Sequence, residues 1–271
     1  MKVLSTGALP LALVLAVALP ARAQQPFADK NLEAAVRAVL QETKPLNDEA
    51  LNKVFVLEAP GKGIKSLKGL EKCKNLSLLK VTKNEISDLA PLKGLTNLQS
   101  LDVAGNKITD VGPLAGLAGL QYLELSDNQV ANVGPLKGLT KLSALYLSGN
   151  KVADLAPLGN LTKLSSLSLA RNQVKDLGPL AKVTRLSTLD LNENQITDLT
   201  PLAKQTELSL LMLEKNKLTD LAPLVAACKA DAEGMKRFAP YLRLYLKGNP
   251  LSDAGKKQVE ALKALGVKVD F

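Results

Sequence analysis

The feature that most constrains this 271-residue chain is a 22-residue unit that recurs seven times in register. Aligned on one asparagine, the copies share the consensus Leu-x-x-Leu-x-Leu-x-x-Asn-x-Ile-x-Asp-Leu-x-Pro-Leu-x-x-Leu-x-x. The asparagine returns as Asn84, Asn106, Asn128, Asn150, Asn172, Asn194 and Asn216, and a proline follows seven residues later each time, from Pro91 to Pro223. A unit this short cannot bury its own leucines. Neighbouring units must therefore stack and share one continuous core, so residues 22 apart in sequence become neighbours in space.

Leucines at this spacing around an asparagine are the leucine-rich-repeat signature. The expected fold is an α/β solenoid, a leucine-rich-repeat horseshoe. Its concave face is a curved parallel β-sheet, its convex face carries short turns or 3-10 segments, and helical caps close both ends. In each coil the Leu-x-Leu segment is read as a short strand, with leucines inward and the x residues on the concave surface. The asparagine amide is placed to bond backbone groups where the chain leaves the sheet. Asp88, Asp110, Asp154, Asp176, Asp198 and Asp220, with Asn132 in the odd repeat, are placed to cap the Leu-x-Pro-Leu turn, whose φ the proline presets. Aromatic residues make up only 3% of the chain, so Leu, Val and Ala must build the layers.

Residues 1–23 read as a secretory signal peptide: a basic start at Lys2, an apolar run from Val3 to Leu19, and Ala21-Arg22-Ala23 as an A-x-A cleavage site before Gln24. Residues 24–53 read as an N-terminal helical cap. Leu32, Ala35, Val36, Val39 and Leu40 mark one helix face, Asp29 or Asn31 is placed to cap it, and a second short helix starts near Asn47. Residues 54–251 form the solenoid, with seven regular repeats over 76–229, a degenerate first coil and an irregular last one. An 11-residue excess around Val225 to Arg237 predicts a short helix in place of a convex turn. Residues 252–271 form the C-terminal cap, a helix lined by Val259, Leu262 and Leu265 and stopped at Gly266, then a strand from Val267.

Composition narrows the function classes. The chain has no histidine, which removes Ser-His-Asp and Cys-His catalysis and the commonest zinc ligand. No phosphate-binding glycine loop or nucleophile motif replaces them, so the expectation is a binding protein, not an enzyme, with no cofactor. The stacked acids read as caps rather than as a calcium site. Net charge is +9, but the basic residues are spread along the chain and not interleaved with aromatics, which predicts a solvated surface and no nucleic-acid partner. Cys73 and Cys228 stand seven coils apart, roughly 34 Å at one strand spacing per coil. That exceeds the reach of a disulfide, about 7 Å between Cα atoms, so both are expected as core thiols.

On the concave face the fifth residue of successive repeats reads Lys80, Asp102, Glu124, Tyr146, Ser168, Asp190, Met212 and Tyr245. The third reads Leu78, Ser100, Tyr122, Ala144, Ser166, Thr188, Leu210 and Arg243. Tyr122 and Tyr146 fall on adjacent strands as one patch flanked by Asp102 and Glu124. Asp190, Glu193 and Glu214 mark a second acidic area, with Met212 and Tyr245 beyond it. The candidate partner-binding residues are therefore Tyr122, Tyr146, Asp102, Glu124, Asp190, Glu193, Met212 and Tyr245, fitted to a protein ligand with basic or polar groups. Lys141, Lys163 and Arg185 form a basic row one coil apart on the edge.

The chain resembles the internalin-like family of bacterial leucine-rich-repeat proteins. The 22-residue unit with Asn-x-Ile-x-Asp-Leu-x-Pro-Leu, the cap beginning Phe27-Ala28-Asp29 and the entry Gly63-Ile64-Lys65-Ser66-Leu67 carry the likeness, which spans about residues 27 to 224. The resemblance implies a secreted or surface protein that binds another protein on its concave face. No second apolar segment or wall-sorting tail is read in the chain, so the expectation is an exported, soluble monomer without a membrane span, secreted, periplasmic or at the cell surface. The alternative reading is an envelope-associated structural protein that binds polyanions such as polysaccharide through its basic flank.

Overall fold

A computed structural model describes residues 26–234 and 236–271; the segment read as a signal peptide lies outside them. The chain opens with α1 (Lys30–Leu40) and α2 (Asp48–Leu51). Ten three-residue strands follow: β1 (Val56–Glu58), β2 (Leu78–Lys80), β3 (Ser100–Asp102), β4 (Tyr122–Glu124), β5 (Ala144–Tyr146), β6 (Ser166–Ser168), β7 (Thr188–Asp190), β8 (Leu210–Met212), β9 (Arg243–Tyr245) and β10 (Lys268–Asp270). α3 (Ala222–Glu233) precedes β9, and α4 (Asp253–Ala264) precedes β10. All ten strands pair in parallel in chain order, forming a leucine-rich-repeat horseshoe with helical segments at both ends.

The register is that of the repeat: Ser100 pairs with Tyr122, Tyr122 with Ala144, and Glu124 with Tyr146. Each strand starts one residue earlier than the Leu-x-Leu segment, so the central leucine, such as Leu123, is buried between two half-exposed residues. The second leucine remains inside, and Leu125 still donates its N–H to the Tyr146 carbonyl of the next coil at 2.9 Å. Inward leucines from every coil merge into one core running the length of the stack.

Polar side chains buried on the concave rim lock coil to coil. The Asn106 amide nitrogen donates to Val103 O in its own coil at 2.9 Å and to Val81 O in the preceding coil at 3.0 Å. Its Oδ1 accepts the Ile86 N–H at 3.0 Å. Asn128 in turn donates to Val103 O at 3.0 Å, so that carbonyl accepts two amides. The ladder satisfies backbone groups that the turn would otherwise bury unpaired. In the first coil Lys62 replaces the asparagine, and Asn84 Oδ1 accepts both Lys62 N–H and Ile64 N–H from the coil above.

The convex turns of the regular repeats are 3-10 segments such as Ala90–Leu92, with proline in the second position, whereas the first coil turns through Leu70–Lys72 without one. In these proline-bearing turns the preceding Asp, or Asn132 in the odd repeat, caps the turn: Asp88 Oδ1 accepts Ala90 N–H at 2.7 Å, and Asn132 Oδ1 accepts Gly134 N–H at 2.8 Å. The last regular turn is replaced by α3, which starts three residues before the excess in sequence, at Ala222. Asp231 ends this departure by accepting the N–H groups of Arg237, Phe238 and Ala239 at 2.9–3.0 Å.

At the N-terminal end one carboxylate joins cap to solenoid. Asp29 Oδ1 caps α1 through Asn31 and Leu32, while its Oδ2 accepts the Lys65 N–H of the first coil at 2.7 Å. Asp29 is thus the cap, and Asn31 lies inside the helix. Gly69, at φ 111°, lets Pro26 and Phe27 press against the first coil, because a β-carbon there would meet the Pro26 carbonyl and the Phe27 ring. At the far end Ser252 caps α4 through Gly255 and also donates to Thr219 O at 2.9 Å. Cys73 and Cys228 are both buried and unpaired.

Candidate functional site

The central concave surface is built by β3, β4 and β5. Tyr122 and Glu124 leave β4 on the same side because alternate residues of a strand share a face. The parallel register sets Asp102 and Tyr146 on either side of Glu124. Tyr122 and Tyr146 then meet with ring centroids 5.6 Å apart, tilted by 48°. This is within the range of favourable aromatic contacts.

The acids beside the rings are not equivalent. Lys80 Nζ reaches Asp102 Oδ2 at 3.7 Å, so Asp102 already has a cation. Glu124 accepts the Ser126 N–H at 2.7 Å, and among the described residues no lysine or arginine bridges it. Burial holds the Glu124 carboxyl above the usual glutamate value; the Asp102 and Asp127 carboxylates add to this, and the Ser126 hydrogen bonds oppose it. Burial, with help from Glu124, Asp102 and Tyr146, pushes the Tyr122 hydroxyl up to about 12. Two half-covered rings and a half-buried acid therefore share one small area.

The other candidate residues lie apart. Asp190, Met212 and Tyr245 are register partners on β7, β8 and β9, separated from the tyrosine pair by β6. Asp190 is engaged locally, accepting Asn192 N–H at 3.1 Å and the Ser168 hydroxyl at 3.2 Å. Glu193 sits on the rim, where Lys215 Nζ contacts its Oε1 at 3.0 Å, so the second acidic area is partly neutralised.

One rim contact is absent from the candidates read in the sequence. The residue before each ladder asparagine has φ > 0, as at Asp127, Gly149 and Arg171. Because Gly149 has no side chain, Arg171 Nη2 passes over it to Asp127 Oδ1, two coils away, at 2.9 Å. A β-carbon at Gly149 would collide with Asp127 Oδ1. The sequence signal was an acid, a glycine and a base at the same repeat position in consecutive coils.

The repeat region matches the family model described as Leucine Rich repeats (2 copies) in five overlapping windows: residues 74–116, 96–138, 118–160, 140–182 and 162–204. The structure is similar to internalin C2 of Listeria monocytogenes at a TM-score of 0.72, with 35% identity over 77% of this chain and 93% of that one. The chain belongs to the internalin-like leucine-rich-repeat proteins. A second internalin of Listeria monocytogenes, internalin F, is 26% identical over 94% of this internalin-like chain and 92% of its own, at a TM-score of 0.59. A plant peptide hormone receptor, RGFR1 in complex with RGF2, shares the fold at a TM-score of 0.58 and 21% identity, over 69% of this chain and 31% of the receptor. No curated protein matches the chain. Among the described residues no helix is long and apolar enough to cross a membrane.

Proposed function

We propose that this internalin-like protein is an exported, non-enzymatic module that binds a protein partner on its concave face. The partner docks over Tyr122 and Tyr146 and presents a lysine or arginine to Glu124. The observation that carries this reading is the contact of two half-covered tyrosine rings beside a half-buried carboxylate that no cation bridges among the described residues. Rings of this kind bury large area at low entropic cost, and a cation placed against them gains from both the ring faces and the acid. The plant receptor of the same fold, captured with a peptide hormone, supports a protein or peptide as ligand class. The leading residues 1–23 support export, with cleavage between Ala23 and Gln24.

The test is partner capture with the chain beginning at Gln24, followed by affinity measurements on variants. Tyr122→Ala with Tyr146→Ala should leave the fold intact and weaken the partner by about 2 kcal/mol or more, on the scale of a hot-spot pair. Reversing Asp102 and Glu124 to lysine should mainly slow association, less so at high salt. A partner whose affinity ignores both variants would remove the concave-face reading. N-terminal sequencing of exported protein checks the cleavage site, and retention of Met1 would refute it.

A further inference from the structure

The charged residues are segregated around each coil. The four segments that climb from the convex proline back to the sheet, residues 135–143, 157–165, 179–187 and 201–209, hold Lys137, Lys141, Lys163, Lys182, Arg185 and Lys204 against one acid, Glu207. All six cations are exposed, and none takes part in an ion pair among the described residues. The concave face next to them carries the acids Asp102, Glu124 and Asp190. A field divided in this way has a sign and a direction that the net charge alone does not convey.

Backbone bonds align the cations at one coil per step. Ser143 N–H bonds to Gln121 O, Ser165 N–H to Ser143 O and Ser187 N–H to Ser165 O, at 2.8–2.9 Å. The hydroxyls of Ser143, Ser165 and Ser187 donate to the same carbonyls at 3.1 Å. Lys141, Lys163 and Arg185 each stand two residues before these pinned serines. They therefore form a row with the period of parallel strands, about 4.8 Å. An open cleft of ≈ 500 Å³ lies along it, lined by Lys163, Ser165, Thr184, Arg185 and Glu207.

We infer that this ascending edge is a second interaction surface, for a linear acidic polysaccharide bearing one carboxylate per sugar residue. In an extended chain of such sugars adjacent rings are turned over, so the carboxylates on one side recur every second residue, a spacing on the order of two coils, about 9.6 Å, as between Lys141 and Arg185. Glu207 closes the row with an acceptor that suits a sugar hydroxyl and repels a further anion. No aromatic residue lies in the four segments, so the edge lacks the stacking platforms that single-stranded nucleic acid uses. This surface is independent of the tyrosine pair.

The test is titration of the chain with polygalacturonate at low salt, with neutral dextran and poly(dT) as comparators. Lys141→Ser, Lys163→Ser and Arg185→Ser are combined in one variant. A control of equal charge combines Lys151→Ser, Lys175→Ser and Lys217→Ser, three exposed lysines past the ladder asparagines. The edge variant should lose at least tenfold in polygalacturonate affinity, and its salt slope should become shallower by roughly two to three counterions. The control and the Tyr122→Ala, Tyr146→Ala variant should stay within about twofold. Equal losses in edge and control variants, no binding of polygalacturonate, or equally tight binding of poly(dT) would each overturn the inference.

Discussion

Replacing Asn150 by alanine removes one rung of the ladder, and the bonds it makes allow the cost to be worked out. Asn150 donates to Leu125 O and Leu147 O, each at 2.9 Å, and accepts the Val130 N–H at 2.9 Å. The two carbonyls keep a donor after the substitution, because Asn128 also serves Leu125 O and Asn172 also serves Leu147 O. The Val130 N–H has no such reserve. A buried N–H left unpaired costs about 1–3 kcal/mol, and two carbonyls falling from two donors to one lose about 0.5–1.5 kcal/mol each, so the sum is roughly 2–6 kcal/mol. Denaturant unfolding measures this total, and amide exchange measures where it falls. Val130 should lose protection selectively, while the corresponding Val174, bonded to Asn194, should keep it. Asn150→Asp should fare no better: it preserves the acceptor for Val130 but points carboxylate oxygen at two carbonyls. A shift below about 1 kcal/mol in the alanine variant, or unchanged protection at Val130, would refute the ladder as a source of stability.

Three further expectations follow from the core and the titrating groups. Leu147→Ala, at a fully buried position in the central coils, should cost roughly 2–5 kcal/mol and loosen the coupling between the two halves of the stack; an unchanged unfolding midpoint would mean the register is wrong. Burial raises Glu124 in the folded state, so stability linked to this group is fully present below the usual glutamate value and is lost as pH rises through the raised one. Glu124→Gln, which can keep the Ser126 hydrogen bond, should therefore raise the melting temperature at neutral pH and lose that advantage in acid; an equal gain at both would point to packing instead. Burial pushes the Cys73 and Cys228 thiols up to about 11 and about 12, so an alkylating reagent near neutral pH should label neither until the chain unfolds. Rapid labelling of the native protein, or a Cys73–Cys228 linked peptide from monomer, would contradict the stack.

Much of this protein is legible in the letters because a fixed period converts sequence distance into spatial distance. Twenty-two residues become one strand spacing, so the inward leucines, the capping acids and the asparagine turns follow from one coil and repeat in all of them. Even Tyr122 and Tyr146 could be placed on neighbouring strands from that rule alone. The helix α3 announced itself as an excess of residues, although its start, at Ala222, needed the backbone. What the period could not decide is which exposed side chains find partners, since solvent-facing positions leave rotamers and reach free. Only the tertiary structure gives Lys80 to Asp102 and Lys215 to Glu193 and leaves Glu124 unbridged among the described residues. Arg171 reaches Asp127 two coils away because Gly149 leaves the space open, a contact that depends on the missing side chain between them. The buried lattice was determined by repetition; the partnering of charges on its surface was decided by distances of a few ångströms between long, mobile side chains.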